Sequence, residues 1–180
     1  MSFRRTNGSA RAVAVALSSI SALAACGAAE PPSPARTAEP LGPDAVPTSL
    51  AHDRDVWQEL LVRHASIRRE VRRIPDGVST LTESDDPTVA DLIKDHVRSM
   101  RSRMQDGRRV RAWDPVFSEL FDRHDKVHIV VEFTVHGARV TETTDDPETL
   151  LLLRSHAAAV SGFVREGCPA ARRSTRYSDD

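Results

Sequence analysis

The sequence predicts an α+β fold. Two αββα repeats form one antiparallel sheet of three or four strands, with helices packed on one face. Three observations lead there. Residues 56–107 align with 116–167 at a constant offset of 60 and without a gap, giving 13 identities in 52 positions; ordinary composition gives about 3 or 4 by chance. Within each repeat the apolar spacing passes from the period of a helix to that of a strand and back. Each repeat also carries Asp-Asp-Pro before its last helical stretch and Gly after it, signals that open and close a helix.

In the first repeat, Trp57, Leu60, His64, Ile67, Val71 and Ile74 have a spacing that one long helix would satisfy. Their counterparts in the second repeat decide otherwise. Val127, Ile129, Val131, Phe133 and Val135 alternate between Lys126 and Val135, the pattern of a half-buried strand. Ile67 to Ile74 is therefore read as a strand too. Pro75-Asp76-Gly77 and His136-Gly137 are the turns, with Gly137 expected to use its freedom at positive φ. Ala138 to Thr144 returns as a strand. Asp114 is the expected N-cap of a helix with Pro115 at its first position, and Phe117, Leu120 and Phe121 share one face. Asp86-Pro87 opens a helix with Val89, Leu92, Ile93, His96, Met100 and Met104 along one side, closed by Gly107. Asp146-Pro147 opens its equivalent, with Leu150, Leu153, Ala157, Val160 and Val164 as the stripe and Gly167 as the stop. One repeat of about 50 residues buries only a thin core, so the pair is expected to share one core about an approximate twofold axis.

The segments outside the repeats have another character. Arg4, Arg5 and Arg11 precede or begin a run, Ala12 to Ala25, of small and apolar residues, with no acidic residue before Glu30. That run is shorter than the roughly 20 residues a membrane span needs, and the pattern is that of a secretory signal. It ends in Leu23-Ala24-Ala25-Cys26, which resembles the lipobox of bacterial lipoproteins. The resemblance covers residues 1–26 alone. It implies cleavage before Cys26 and acylation of that residue, with more than one acyl chain giving a stable anchor. It places the protein in the bacterial cell envelope, attached to a membrane through lipid; with Gly27 after Cys26, the outer membrane is implied where two membranes exist. The domain organisation follows: signal peptide 1–25; lipidated Cys26 and a Pro/Ala-rich tether over 26–50; one globular domain over 51–168; and a disordered tail over 169–180.

Composition excludes several classes. The chain has 180 residues, 25 basic and 26 acidic, and a formal charge of −1. Loss of residues 1–25 removes three arginines and no acid, leaving 22 basic against 26 acidic residues and a charge of −4. That argues against nucleic acid as a partner, as does an aromatic content of 4%. Two cysteines give no disulfide framework and no CxxC pair. If Cys26 is acylated, Cys168 is expected to be a free thiol or an intermolecular link. No Gly-x-Ser-x-Gly, phosphate-loop or dinucleotide motif is present, so catalysis finds no identifiable residues.

Histidine is what remains. Four of the seven form the repeat-related pairs His64/His124 and His96/His156. Imidazole ligates zinc, copper and haem iron, and a twofold arrangement would carry matching rings toward its axis. Met100 lies one helical turn after His96 and suits copper or a haem axial position. The candidate ligand set is thus His64, His96, Met100, His124 and His156, with Asp95, Glu119 and Asp125 as acceptors orienting the rings. The competing reading makes these histidines structural. Asp85-Asp86 and Asp145-Asp146 are read as helix caps rather than metal or acid–base pairs, and the arginines of 63–73, 108–111 and 123 as solvated or salt-bridged. Function is thereby expected to be a non-catalytic binding domain on a lipid-anchored protein, with copper, zinc or haem as candidate ligands. The alternative is a cofactor-free envelope scaffold with a protein partner or a second copy of itself.

Overall fold

A computed structural model describes residues 49–178. The expected signal peptide, Cys26 and the tether as far as residue 48 lie outside the described residues, as do 179 and 180.

Each repeat is a helix, a hairpin and a second helix. The first contributes α1 (Leu50–Val62), β1 (Arg68–Ile74), β2 (Gly77–Glu83) and α2 (Pro87–Gln105). The second contributes α3 (Pro115–Asp122), β3 (His128–Phe133), β4 (Gly137–Thr143) and α4 (Pro147–Glu166), followed by a short α5 (Cys168–Ala171). The four strands form one antiparallel sheet in the order β1-β2-β4-β3, with helices packed on one face, so the α+β class holds. The helical spacing of Trp57 to Ile74 ends as helix at Val62; a 3₁₀ turn over His64–Ser66 then resets the chain into β1. The second repeat makes the same turn over His124–Lys126.

The register locates the pseudo-twofold axis. Across the central strand pair, Thr80 opposes Val140, its own equivalent at offset 60. The two ends of that pair explain the retained glycines. Gly77 opposes Thr143, and Gly137 opposes Glu83. A Cβ on Gly77 would lie 1.9 Å from the Glu142 carbonyl oxygen, and one on Gly137 would lie 2.1 Å from that of Thr82. Close approach of the other repeat's backbone demands glycine at both positions, and at Gly137 the anticipated positive φ, 159°, adds to that demand.

The long helices cross over: α2 packs on β4 and β3 of the second repeat, and α4 on β2 and β1 of the first. Each hairpin is covered by the other repeat's helix, so neither repeat encloses a core alone. Val78, Val116, Leu120, Phe121, Leu152, Leu153 and Ala157 form the main cluster, and Val89, Ile93 and Ala138 a smaller one. Asp86 caps α2, accepting from the Thr88 and Val89 amides at 2.9 and 3.4 Å. Asp146 caps α4, accepting from the Thr149 amide at 2.9 Å. The hydroxyl of Thr149, Lys126 and that amide together hold the Asp146 carboxyl well below the usual range.

Two expectations are corrected. Asp114 occupies the N-cap position of α3 but makes no cap bond. It is fully buried, and its Oδ2 accepts from Arg111 (2.9 Å), the Thr175 amide (3.0 Å) and the Thr175 hydroxyl (2.8 Å). Those bonds help dock the segment read as a disordered tail. Ala170 and Ala171 are buried, Tyr177 donates to Glu119 at 2.5 Å, and the Ser178 amide donates to Ser155 at 2.9 Å. The tail is therefore ordered through Ser178, because a buried carboxylate and a buried hydroxyl need its donors.

A candidate binding cavity between helices and sheet

The inward face of the sheet, set by strand alternation, presents Arg69, Thr80, Thr82, Ile129, Val131, Val140 and Glu142. The helices above do not close down on it. Between them lies a cavity of about 840 Å³, within the usual range for organic-ligand sites. Its walls are mostly apolar, from Trp57, Ile93, Val97, Met100, Phe117, Val160 and Phe163. The lining residues exposed to solvent are Leu50, Ala51, Arg54, Arg101, Ala112, Trp113 and Arg172. These mark the opening. It carries two large apolar side chains and three arginines, and no acidic residue.

The floor is polar. Arg69 of β1 donates from Nη1 to Thr82 Oγ1 at 2.6 Å, while its Nε is buried without a partner. Burial pushes its guanidinium down to about 10, so it stays charged at neutral pH, with Glu142 the opposing influence. Glu142 of β4 is pushed up to about 7 by burial, partly offset by Arg69. His156 of α4 stands with Nδ1 3.9 Å from Glu142 Oε2 and with its ring edge-on to Phe117, centroids 5.0 Å apart. Burial, then Arg69 and His96, bring His156 down to about 4. Burial likewise lowers His96 of α2. Both imidazoles are neutral at pH 7, and the Nδ1 of each is buried without a partner.

The candidate ligand set is split by the fold. His96, Met100 and His156 line the cavity together. His64 reaches its wall, but its Nδ1 donates to the Val164 carbonyl at 2.9 Å, and its ring lies against Gly167, where a Cβ would come within 2.5 Å. His124 does the same service at the end of α2, against Gly107. Each ring thus seals the C-terminus of the other repeat's long helix, which accounts for the pair without a ligand. Both glycines sit at positive φ, 62° and 63°, as helix stops do. Among the described residues, no three or more His, Cys, Asp or Glu form a group suited to a metal ion. Two of the three proposed acceptors are engaged elsewhere: Asp95 accepts from His52 Nε2 at 2.8 Å, and Glu119 from Tyr177.

The basic residues behave as salt-bridge partners. Arg63 pairs with Glu59, and Arg123 with Asp146 and Glu148 at 3.2 and 2.6 Å. Arg111 goes further. Its guanidinium lies 4.3 Å from the Trp113 ring and 4.9 Å from Phe117, and it donates to the Ala171 carbonyl at 2.6 Å, pinning the C-terminal segment beside the cavity. Cys168 is disulfide-bonded, not a free thiol. The chain's other cysteine, Cys26, lies outside the described residues.

Arg69, expected among the solvated or salt-bridged arginines, is instead buried on the cavity floor, and Glu142 was not anticipated as a site residue. Strand parity was the available signal: each falls in phase with inward apolar positions, Arg69 with Ile67 and Glu142 with Val140. No protein-family model, curated protein or solved structure matches the chain.

Proposed function

We propose that this is a lipid-anchored protein of the bacterial cell envelope whose domain binds, without catalysis, an apolar organic molecule in the cavity between helices and sheet. The observation that carries the reading is the cavity itself: about 840 Å³, apolar on its walls and polar at one end. A well-packed domain leaves few voids larger than a water molecule, so an apolar space of this size fits a guest. The opening supports the membrane attachment. Leu50, at its rim, is where the chain from Cys26 enters the domain, so an anchored protein has its entrance at the tethered end. No helix among the described residues is long and apolar enough to cross a membrane, and attachment in this reading comes from the lipid on Cys26, which requires a lipidated form in which the disulfide of Cys168 is not made to that residue.

The test uses the full chain carrying Cys26→Ser, free of detergent. Titration with Nile red should show one saturable site, and Val160→Phe, which fills the cavity beside His156, should weaken it about tenfold or more. Absence of saturable binding overturns the reading.

A second reading keeps haem. His96, Met100 and His156 share the cavity wall, and a haem is itself a largely apolar guest. Titration with hemin decides it: a shifted Soret band that disappears in His96→Ala and His156→Ala supports haem, and an unshifted band removes it. A bare copper or zinc ion has less to hold it, given the dispersal of His64 and His124 described above.

A further inference from the structure

We infer that the cavity's guest carries an acidic head group, a carboxylate on an apolar tail, which enters head first and pairs with Arg69 at the floor beside His96 and His156. This inference deepens the cavity-binding proposal and rests on it.

The argument begins with unmet valences. An arginine in an apolar interior is expected to have a carboxylate against it. Arg69 has Thr82 Oγ1 as its polar partner, and among the described residues no acidic group stands within salt-bridge distance. Its Nε and the Nδ1 atoms of His96 and His156 are all buried without partners. All three residues line one space. Buried polar groups are nearly always satisfied, so orphaned nitrogens converging on a cavity point to a guest that brings acceptors. A carboxylate offers two oxygens and a full charge to a guanidinium fork.

Glu142 does not fill that role. Its carboxylate is 3.9 Å from His156 and makes no bond to Arg69. Held partly protonated, it is a donor to an incoming carboxylate rather than only a rival.

The floor is also one-sided. The pseudo-twofold axis relates His96 to His156, but the equivalent of Arg69 is Ile129, and that of Glu142 is Thr82. Charge was placed at positions where the other repeat is uncharged. Such a floor distinguishes a head from a tail. The remaining wall, with Phe117, Val131, Val160 and Phe163, is mostly apolar; Arg111, whose Nε is also buried without a partner, lies against Phe117 and Phe163 and is held by Asp114 and the Ala171 carbonyl.

The experiment compares hexadecanoate with hexadecanol as competitors for Nile red on the full Cys26→Ser chain at pH 7. The acid is expected to bind at least about tenfold more tightly than the alcohol, the scale of a hydrogen bond to a charged group. In Arg69→Met the preference should fall to within about threefold while dye binding persists. In Arg54→Gln/Arg101→Gln, at the exposed rim, the preference should remain. Equal binding of acid and alcohol by the parent chain overturns the head-group inference and leaves the cavity reading standing. So does a preference retained in Arg69→Met or lost in the rim variant. No saturable dye binding at all removes the cavity reading, and this inference with it.

Discussion

Replacing Glu142 by Gln tests the floor without any ligand. In the folded protein Glu142 holds its proton up to about pH 7, against 4.5 ordinarily, because burial disfavours the charge more than Arg69 favours it. Between those values the unfolded chain has lost the proton that the folded chain keeps. Stability is therefore full below pH 4.5 and falls as pH rises toward 7. A shift of this size corresponds to about 3 kcal/mol once titration is complete. Glutamine has no proton to lose, so Glu142→Gln should gain on the parent by about 2–3 kcal/mol between pH 5 and pH 8. His156 acts in the opposite sense. Its folded value of about 4 lies below the ordinary 6.5, so it adds stability as pH rises through that window. The parent's own pH profile is consequently flattened, and the difference between parent and variant isolates the carboxyl. The assay is urea unfolding of both chains at pH 5, 6, 7 and 8. A difference that stays constant across that range would refute the reasoning, since it would mean Glu142 ionises normally against a partner that the floor as described does not provide.

Other expectations concern the scaffold. Asp53 of α1 is buried and accepts from Arg103 Nε and the Ser99 hydroxyl of α2; Asp53→Ala removes one member of this buried ion pair and should cost about 3–5 kcal/mol in urea unfolding, with a loss under 1 kcal/mol counting against it. Gly77→Ala and Gly137→Ala should each destabilise by more than about 2 kcal/mol because the new methyl meets backbone, whereas Gly162→Ala, whose Cβ meets nothing closer than 3.9 Å inside α4, should raise stability by about 0.5–1 kcal/mol; equal effects at the three sites would remove the close-approach argument. Intramolecular disulfide bonding of Cys168 and thioether lipidation of Cys26 are exclusive in a chain with two cysteines: intact mass and thiol alkylation of the envelope-purified protein should show diacylglyceryl on Cys26, and a Cys26–Cys168 link in that material would defeat the anchor.

Much of the fold was legible because the duplication supplied two readings of each element. Ile67 to Ile74 alone is undecidable between helix and strand, since its arginines blur the alternation. Its counterpart, 127–135, alternates cleanly, and the strand follows. Asp86 and Asp146 announce their helices by chemistry that is local in sequence. Asp114 does not, because its partners, Thr175 and Arg111, are set by tertiary contacts that a helix-start signal cannot contain. The tail shows the same limit: its polar sequence reads as solvated until the buried acceptors that hold it are known. The cavity was invisible for a related reason. Apolar residues facing an empty space have the same periodicity as apolar residues facing one another.

The histidines show why retention across a duplication is an ambiguous guide to a site. What both repeats need in order to fold, both repeats keep. His64 and His124 seal reciprocal helix ends, and Gly77 and Gly137 admit reciprocal backbones. These identities follow from the symmetry of the packing and require no guest. A ligand with a head and a tail is not symmetric, and the residues that recognise its head must break the repeat. Arg69 against Ile129 and Glu142 against Thr82 are such breaks, and both fall on the inward face beside the one histidine pair, His96 and His156, that shares the cavity. In a duplicated domain the sites of chemistry are therefore better sought where an inward position carries charge in one repeat and none in the other.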